Sequence, residues 1–180
     1  MGLRKFKCYR RVKRAYTRHS KYKKKDFVKV VPPSKIVKFE FGVLKNEFSY
    51  RVDLLSKAKM QVRSNAIESA RAVIHRKLTG GVGEGNYFLK VRVYPHHILR
   101  ENKMLVGAGA DRMQTGMSHA FGRAIGTAAQ VSMNQPIFSC FTTEKFVRPA
   151  KKAMEAGTAS LPGKYQVKAE PVLNAKIPHS

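Results

Sequence analysis

The chain is short of three things. It has two cysteines, few acids, and no long apolar run. Cys8 and Cys140 lie far apart with no CxxC pair, so the sequence writes neither a disulfide framework nor a zinc knuckle, and it suits a reducing compartment. No apolar stretch approaches the roughly 20 residues that span a bilayer. The first 25 residues lack the continuous apolar segment of a secretory signal, although, Arg-rich and acid-free, they share the composition of an organelle transit peptide. The acids are the most informative shortage. Against 36 Lys and Arg stand 11 Asp and Glu, a formal net charge of +25 and a pI near 10.5. Such an excess calls for a polyanionic partner, because each phosphate contacted releases condensed counterions.

What is present describes one domain. At 180 residues and 43% apolar composition, the chain can bury a real core. Residues 1–34 read as a basic N-terminal arm and 35–180 as a single α+β domain. The arm carries twelve basic residues in its first 25 positions, interleaved with Phe6, Tyr9, Tyr16 and Tyr22. Its arginines can reach phosphates while its rings stack on bases or pack on ribose.

Alternation places Val37, Phe39 and Phe41 on one face of a strand, and Phe48, Tyr50, Val52 and Leu54 on one face of the next, with GVLKNE as a hairpin loop. NAIESARAVIHRKL predicts a helix capped by Asn65, with Glu68 three residues on; Ile67, Ala70, Ile74 and Leu78 form its apolar back, and Arg71, His75, Arg76 and Lys77 lie elsewhere. TGGVGEGN stops it. A strand with Tyr87, Leu89, Val91 and Val93 alternating follows, then TAAQVSM and IFSCFTT as short strands. A helix near 146–158 must hold Pro149 in its first turn, and KYQVKAEP makes a last strand. The order favours a small, mainly antiparallel sheet with two helices over a doubly wound parallel sheet.

Between these elements runs LRENKMLVGAGADRMQTGM, part of an aperiodic loop over about 100–125. GAGADR fails the G-x-G-x-x-G pattern at Arg112, and no helix follows to hold a pyrophosphate. Glu101 and Asp111 are the only acids between 85 and 143. Each adjoins an arginine, Arg100 or Arg112, and is read as orienting it; a catalytic pair acting on RNA is the rival reading. His96 and His97 are read as neighbours on a strand that point to opposite faces, so they do not share a metal; they supply one core or hydrogen-bonded ring and one RNA-facing ring. No cofactor, metal site or enzyme is expected. Gly107, Gly109, Gly116 and Gly122 permit close backbone approach, Arg100, Lys103, Arg112 and Arg123 supply charge, and Met104, Met113 and Met117 adapt to irregular surfaces.

YPHHILRENKMLVGAGADRMQTGM with FGRAIGTAA, together with KCYRRVKRAYTR, NAIESARAV and LPG, resembles the large-subunit ribosomal protein family called L-ten-e in archaea and eukaryotes and L-sixteen in bacteria. AYTR and LRENKM are closer to archaeal members. The resemblance covers most of the chain. It implies an α+β fold of the α/β-hammerhead type and a cytoplasmic, non-enzymatic role on large-subunit ribosomal RNA beside the aminoacyl-tRNA site. It also implies contact with tRNA in or near that site and with neighbouring ribosomal proteins, but not with membrane. The family's internal loop points toward the peptidyl transferase centre. Here it matches about 102–116 and includes Asn102, Lys103, Met104, Gly107, Gly109, Asp111, Arg112 and Gly116. The chain departs from the family at Ser118 and Gln130, where basic residues are usual, and at Ala124, where proline is. Arg10, Arg11, Arg14, Arg18, Arg71, Arg76, Arg100, Lys103, Arg112 and Arg123 are the expected RNA contacts.

Overall fold

The computed structural model describes residues 4–12, 18–44, 48–103 and 116–172. Eight strands and two helices appear among them: β1 Glu40–Gly42, β2 Tyr50–Ser56, β3 Met60–Arg63, α1 Ser64–Val82, β4 Tyr87–Val91, β5 His97–Glu101, β6 Arg123–Val131, β7 Pro136–Thr142, α2 Val147–Gly157 and β8 Tyr165–Pro171. All pairings are antiparallel, so the α+β expectation holds, but the strands form two sheets instead of one. Five take the order β1-β4-β7-β2-β8 and three the order β3-β6-β5.

One core joins both sheets. Val52, Leu54, Leu89, Phe138 and Cys140 of the larger sheet, Met60, Val62 and Val131 of the smaller, and Ile67, Ile74, Leu78 and Met154 of the helices form a single buried cluster. The four apolar positions anticipated on α1 are all fully buried. Each large aliphatic there contributes about 1.5–3 kcal/mol of burial. The predicted alternation of Tyr87, Leu89, Val91 and Val93 likewise faces this core. Burial pushes the Cys140 thiol up to about 12, which leaves it an inert core group. Pro149 is the third residue of α2, inside the first turn.

Several local expectations change. No hairpin joins the first two strands: β1 pairs β4 (Phe41 opposite Leu89), while β2 lies between β7 and β8. Phe39 and Phe41 pack against the core, and the Phe39 carbonyl accepts from the Val91 N–H at 2.8 Å, but Val37 is exposed and Ile36 is the buried neighbour. Phe48 sits with Phe88 and Phe141 in a separate cluster, apart from Val52 and Leu54. Asn65 is not the cap: α1 begins at Ser64 after Arg63 without a side-chain cap, and Glu68 bonds Arg71 instead. The helix also runs through Thr79, Gly80 and Gly81 to Val82, which is buried, before Gly83 ends it at φ +84°. β6 and β7 belong to different sheets, and β3 was not anticipated.

Candidate nucleic-acid interface

β5 and β6 form the neck of the aperiodic segment. Glu101 stands opposite Arg123 and Arg100 opposite Ala124, with an irregularity between Leu99 and Arg100. The expected loop of 100–125 is therefore shorter at both ends, since Arg100, Glu101 and 123–125 are strand. At Gly122 the two chains approach so closely that a Cβ would lie 2.6 Å from the Glu101 carbonyl carbon and 2.8 Å from the Asn102 amide nitrogen. No other residue fits there without moving backbone. The departure at Ala124 falls within this ladder, where its amide belongs to a strand and not to a turn.

Beside the neck, two arginines lie over two phenyl rings. The Arg100 guanidinium sits 4.2 Å from the Phe121 centroid, that of Arg18 sits 4.1 Å from the Phe27 centroid, and the rings are 6.2 Å apart. Burial and then the nearby Arg18 hold Arg100 below its ordinary pKa, although an arginine stays charged throughout the accessible range. Two cations close together repel, and a polyanion placed against both relieves that repulsion. Arg123 and Lys29, both exposed, border the same cleft.

The two histidines differ in exposure. His97 is half-buried with a buried, unpartnered Nδ1, and burial, then Arg100, lowers its pKa. His96 is exposed and packs on Tyr94 at 4.4 Å, and Tyr94 stacks on Phe39 at 5.4 Å. Sequence reasoning missed this outward aromatic row, although YPHH displays two of its three members.

The described part of the arm lies against the smaller sheet. Gln61 donates its backbone N–H to the Arg10 carbonyl at 3.0 Å and its side-chain amide to the Tyr9 carbonyl at 2.9 Å. Arg63 donates to the Arg4 carbonyl and lies over the Phe6 and Tyr9 rings. Arg4 in turn donates to the Glu101 carboxylate, which raises the Arg4 pKa. Glu101 was expected to orient Arg100; its carboxylate instead clamps the arm, drawn by a partner 97 positions away in sequence. Arg10 and Arg11 remain exposed.

On α1, Arg71 makes two hydrogen bonds to Glu68 (2.9 and 2.7 Å) and covers Phe41 at 4.4 Å, which leaves its side chain 15% exposed. Arg76 is exposed. His75, expected away from the core, bonds the buried Tyr87 hydroxyl at 2.8 Å. Of the loop residues, Asn102 is half-buried, Lys103 is exposed and Gly116 has φ +60°. Arg14, Met104, Gly107, Gly109, Asp111, Arg112 and Met113 lie outside the described residues. Among the described residues no three His, Cys, Asp or Glu gather as a metal site, and no helix is long and apolar enough to cross a membrane.

Comparison with known proteins decides the family. The model of the family "Ribosomal protein L16p/L10e" matches residues 15–168. The chain belongs to the L16p/L10e family of ribosomal proteins. Among curated relatives named large ribosomal subunit protein uL16, that of Methanosphaerula palustris is 45% identical over 87% of both chains. That of Staphylothermus marinus is 44% identical over 83% of this chain and 87% of its own length, and that of Hyperthermus butylicus 39% over 92% of both. These relatives bear out the archaeal-type resemblance. For an L16p/L10e member the non-enzymatic expectation also stands, as its relatives are structural ribosomal proteins.

Proposed function

We propose that the chain is a structural constituent of the large ribosomal subunit in the cytoplasm. It binds large-subunit ribosomal RNA next to the aminoacyl-tRNA site, and the segment from about 102 to 116 is directed toward the peptidyl transferase centre. Neighbouring ribosomal proteins and tRNA in or near that site complete its partners. The observation that carries the reading is the family match over residues 15–168, to relatives that are themselves large-subunit proteins. A net charge of +25 supports it, as does the placing of Arg18, Arg100 and Arg123 beside one neck. Recognition rests on RNA shape and phosphates, because side chains cannot read the deep, narrow major groove of A-form RNA.

The test is sedimentation of a lysate on density gradients, followed by washing of the large-subunit peak with rising salt. A purely electrostatic passenger with about six to ten phosphate contacts loses on the order of 10³-fold or more in affinity between roughly 50 and 200 mM salt. An integral constituent stays with the particle well beyond that range. Early release, or absence from the peak, favours a general nucleic-acid binder.

A further inference from the structure

The proposed function leaves one built feature unassigned, the cleft between the arm and the neck. It has a volume of about 410 Å³, within the range of small-ligand sites, and Phe27, Lys29, Arg100, Phe121, Gly122 and Arg123 line it. Phe27 and Phe121 are 51% and 48% exposed, although residues of this size and polarity are ordinarily hidden. They are presented as a pair, 6.2 Å apart and tilted by 45°, each with a guanidinium over its ring. Phe27 and Phe121 are 94 positions apart in sequence, so the pairing is made by tertiary structure.

The chemistry of the walls selects the occupant. Phenyl rings and stacked guanidinium planes accept any flat π-system and read no hydrogen-bonding edge. The lining holds three cations and no carboxylate. The nearest acid in sequence, Asp26, is held by a hydrogen bond from His19, which lowers its pKa. A flat, apolar surface rimmed only by positive charge complements a nucleobase carried on a phosphate backbone. An acidic peptide would satisfy the charge and leave the rings without a stacking partner.

We propose that this cleft receives one unpaired nucleotide of structured RNA, its base against the Phe27 and Phe121 rings and its flanking phosphates on Lys29 and Arg123. The inference rests on the RNA-binding reading above and names a place where that binding occurs. Gly122 has a part in it: the close approach at the neck sets Phe121, the preceding residue, beside Phe27.

The test compares large subunits reconstituted with wild-type protein, Phe121→Leu, Phe27→Leu and the double variant, probing every ribosomal RNA base with base-modifying reagents. Leucine keeps apolar bulk and removes the stacking face, and melting of the free variants establishes that each folds. The expected result is one unpaired nucleotide, protected in the wild type, whose reactivity rises on the order of tenfold in the variants while the rest of the footprint persists. Should one variant fold poorly, the other single variant reads the same nucleotide. An unchanged footprint in the double variant overturns the cleft assignment and leaves the RNA reading intact. Absence of any wild-type footprint overturns the RNA reading itself. Crosslinking of Lys29 to another protein at this cleft, with no nucleotide affected, overturns the proposal in favour of a peptide occupant.

Discussion

Glu101 closes β5 directly opposite Arg123, the first residue of β6, yet its carboxylate turns away to Arg4 in the arm. One residue thus fixes the base of the aperiodic segment through its backbone and ties down the arm through its side chain. The neck is closed by strand pairing and by the approach at Gly122, both independent of residues 104–115.

Replacing 104–115 by a short Gly-Ser bridge should therefore leave the domain folded and cooperative, while impairing translation once the protein is incorporated. Urea unfolding followed by circular dichroism checks the first part. Loss of a single sharp transition would show that the segment contributes to the core, contrary to the ladder described here.

Gly122→Ala should destabilise the domain by on the order of 1–3 kcal/mol, the usual cost of forcing an atom into a packed site. The clash is with backbone at 2.6 and 2.8 Å, so no side-chain rotation relieves it. Ala at Gly116, where a Cβ meets nothing within 4 Å, should cost less, from its φ of +60° alone. Chemical denaturation midpoints of the two variants give the comparison.

Acid should weaken the fold through His97. Its folded-state pKa lies below the ordinary histidine value of about 6.5, first through burial and then through Arg100, so the unfolded chain takes up the proton more readily. The stabilisation is fully present above the unfolded pKa and is lost as pH falls through the folded value. The melting temperature of the wild type should fall between pH 7 and pH 5 more steeply than that of His97→Asn. Parallel slopes would rule His97 out as the source.

Arg71 and Arg76 are both positive and both on α1, yet they should behave differently. Arg71→Ala removes two hydrogen bonds and the cover over Phe41, and should cost roughly 1–2 kcal/mol of stability. Arg76→Ala should leave stability unchanged and, if that side chain meets a phosphate, reduce the salt slope of RNA binding by about one. Thermal melts and salt titrations of both variants separate packing from contact.

The sequence by itself determined the fold class of the molecule. Periodicity fixed the apolar face of α1 and the inward side of β4, since burying those side chains is local in origin and large in energy. Charge balance alone calls for a polyanion, and long contiguous motifs carry the family resemblance. Tertiary structure alone decided which strands pair. The four residues of β3 are too few to show a period, and the adjacent Ile98 and Leu99 of β5 break the alternation that marks a strand, so the division into two sheets was not legible. It alone also joined Arg4 to Glu101, hid most of Arg71 and set Phe27 beside Phe121. Contacts between residues far apart in sequence leave no periodic trace, because they follow from how the finished elements pack against one another.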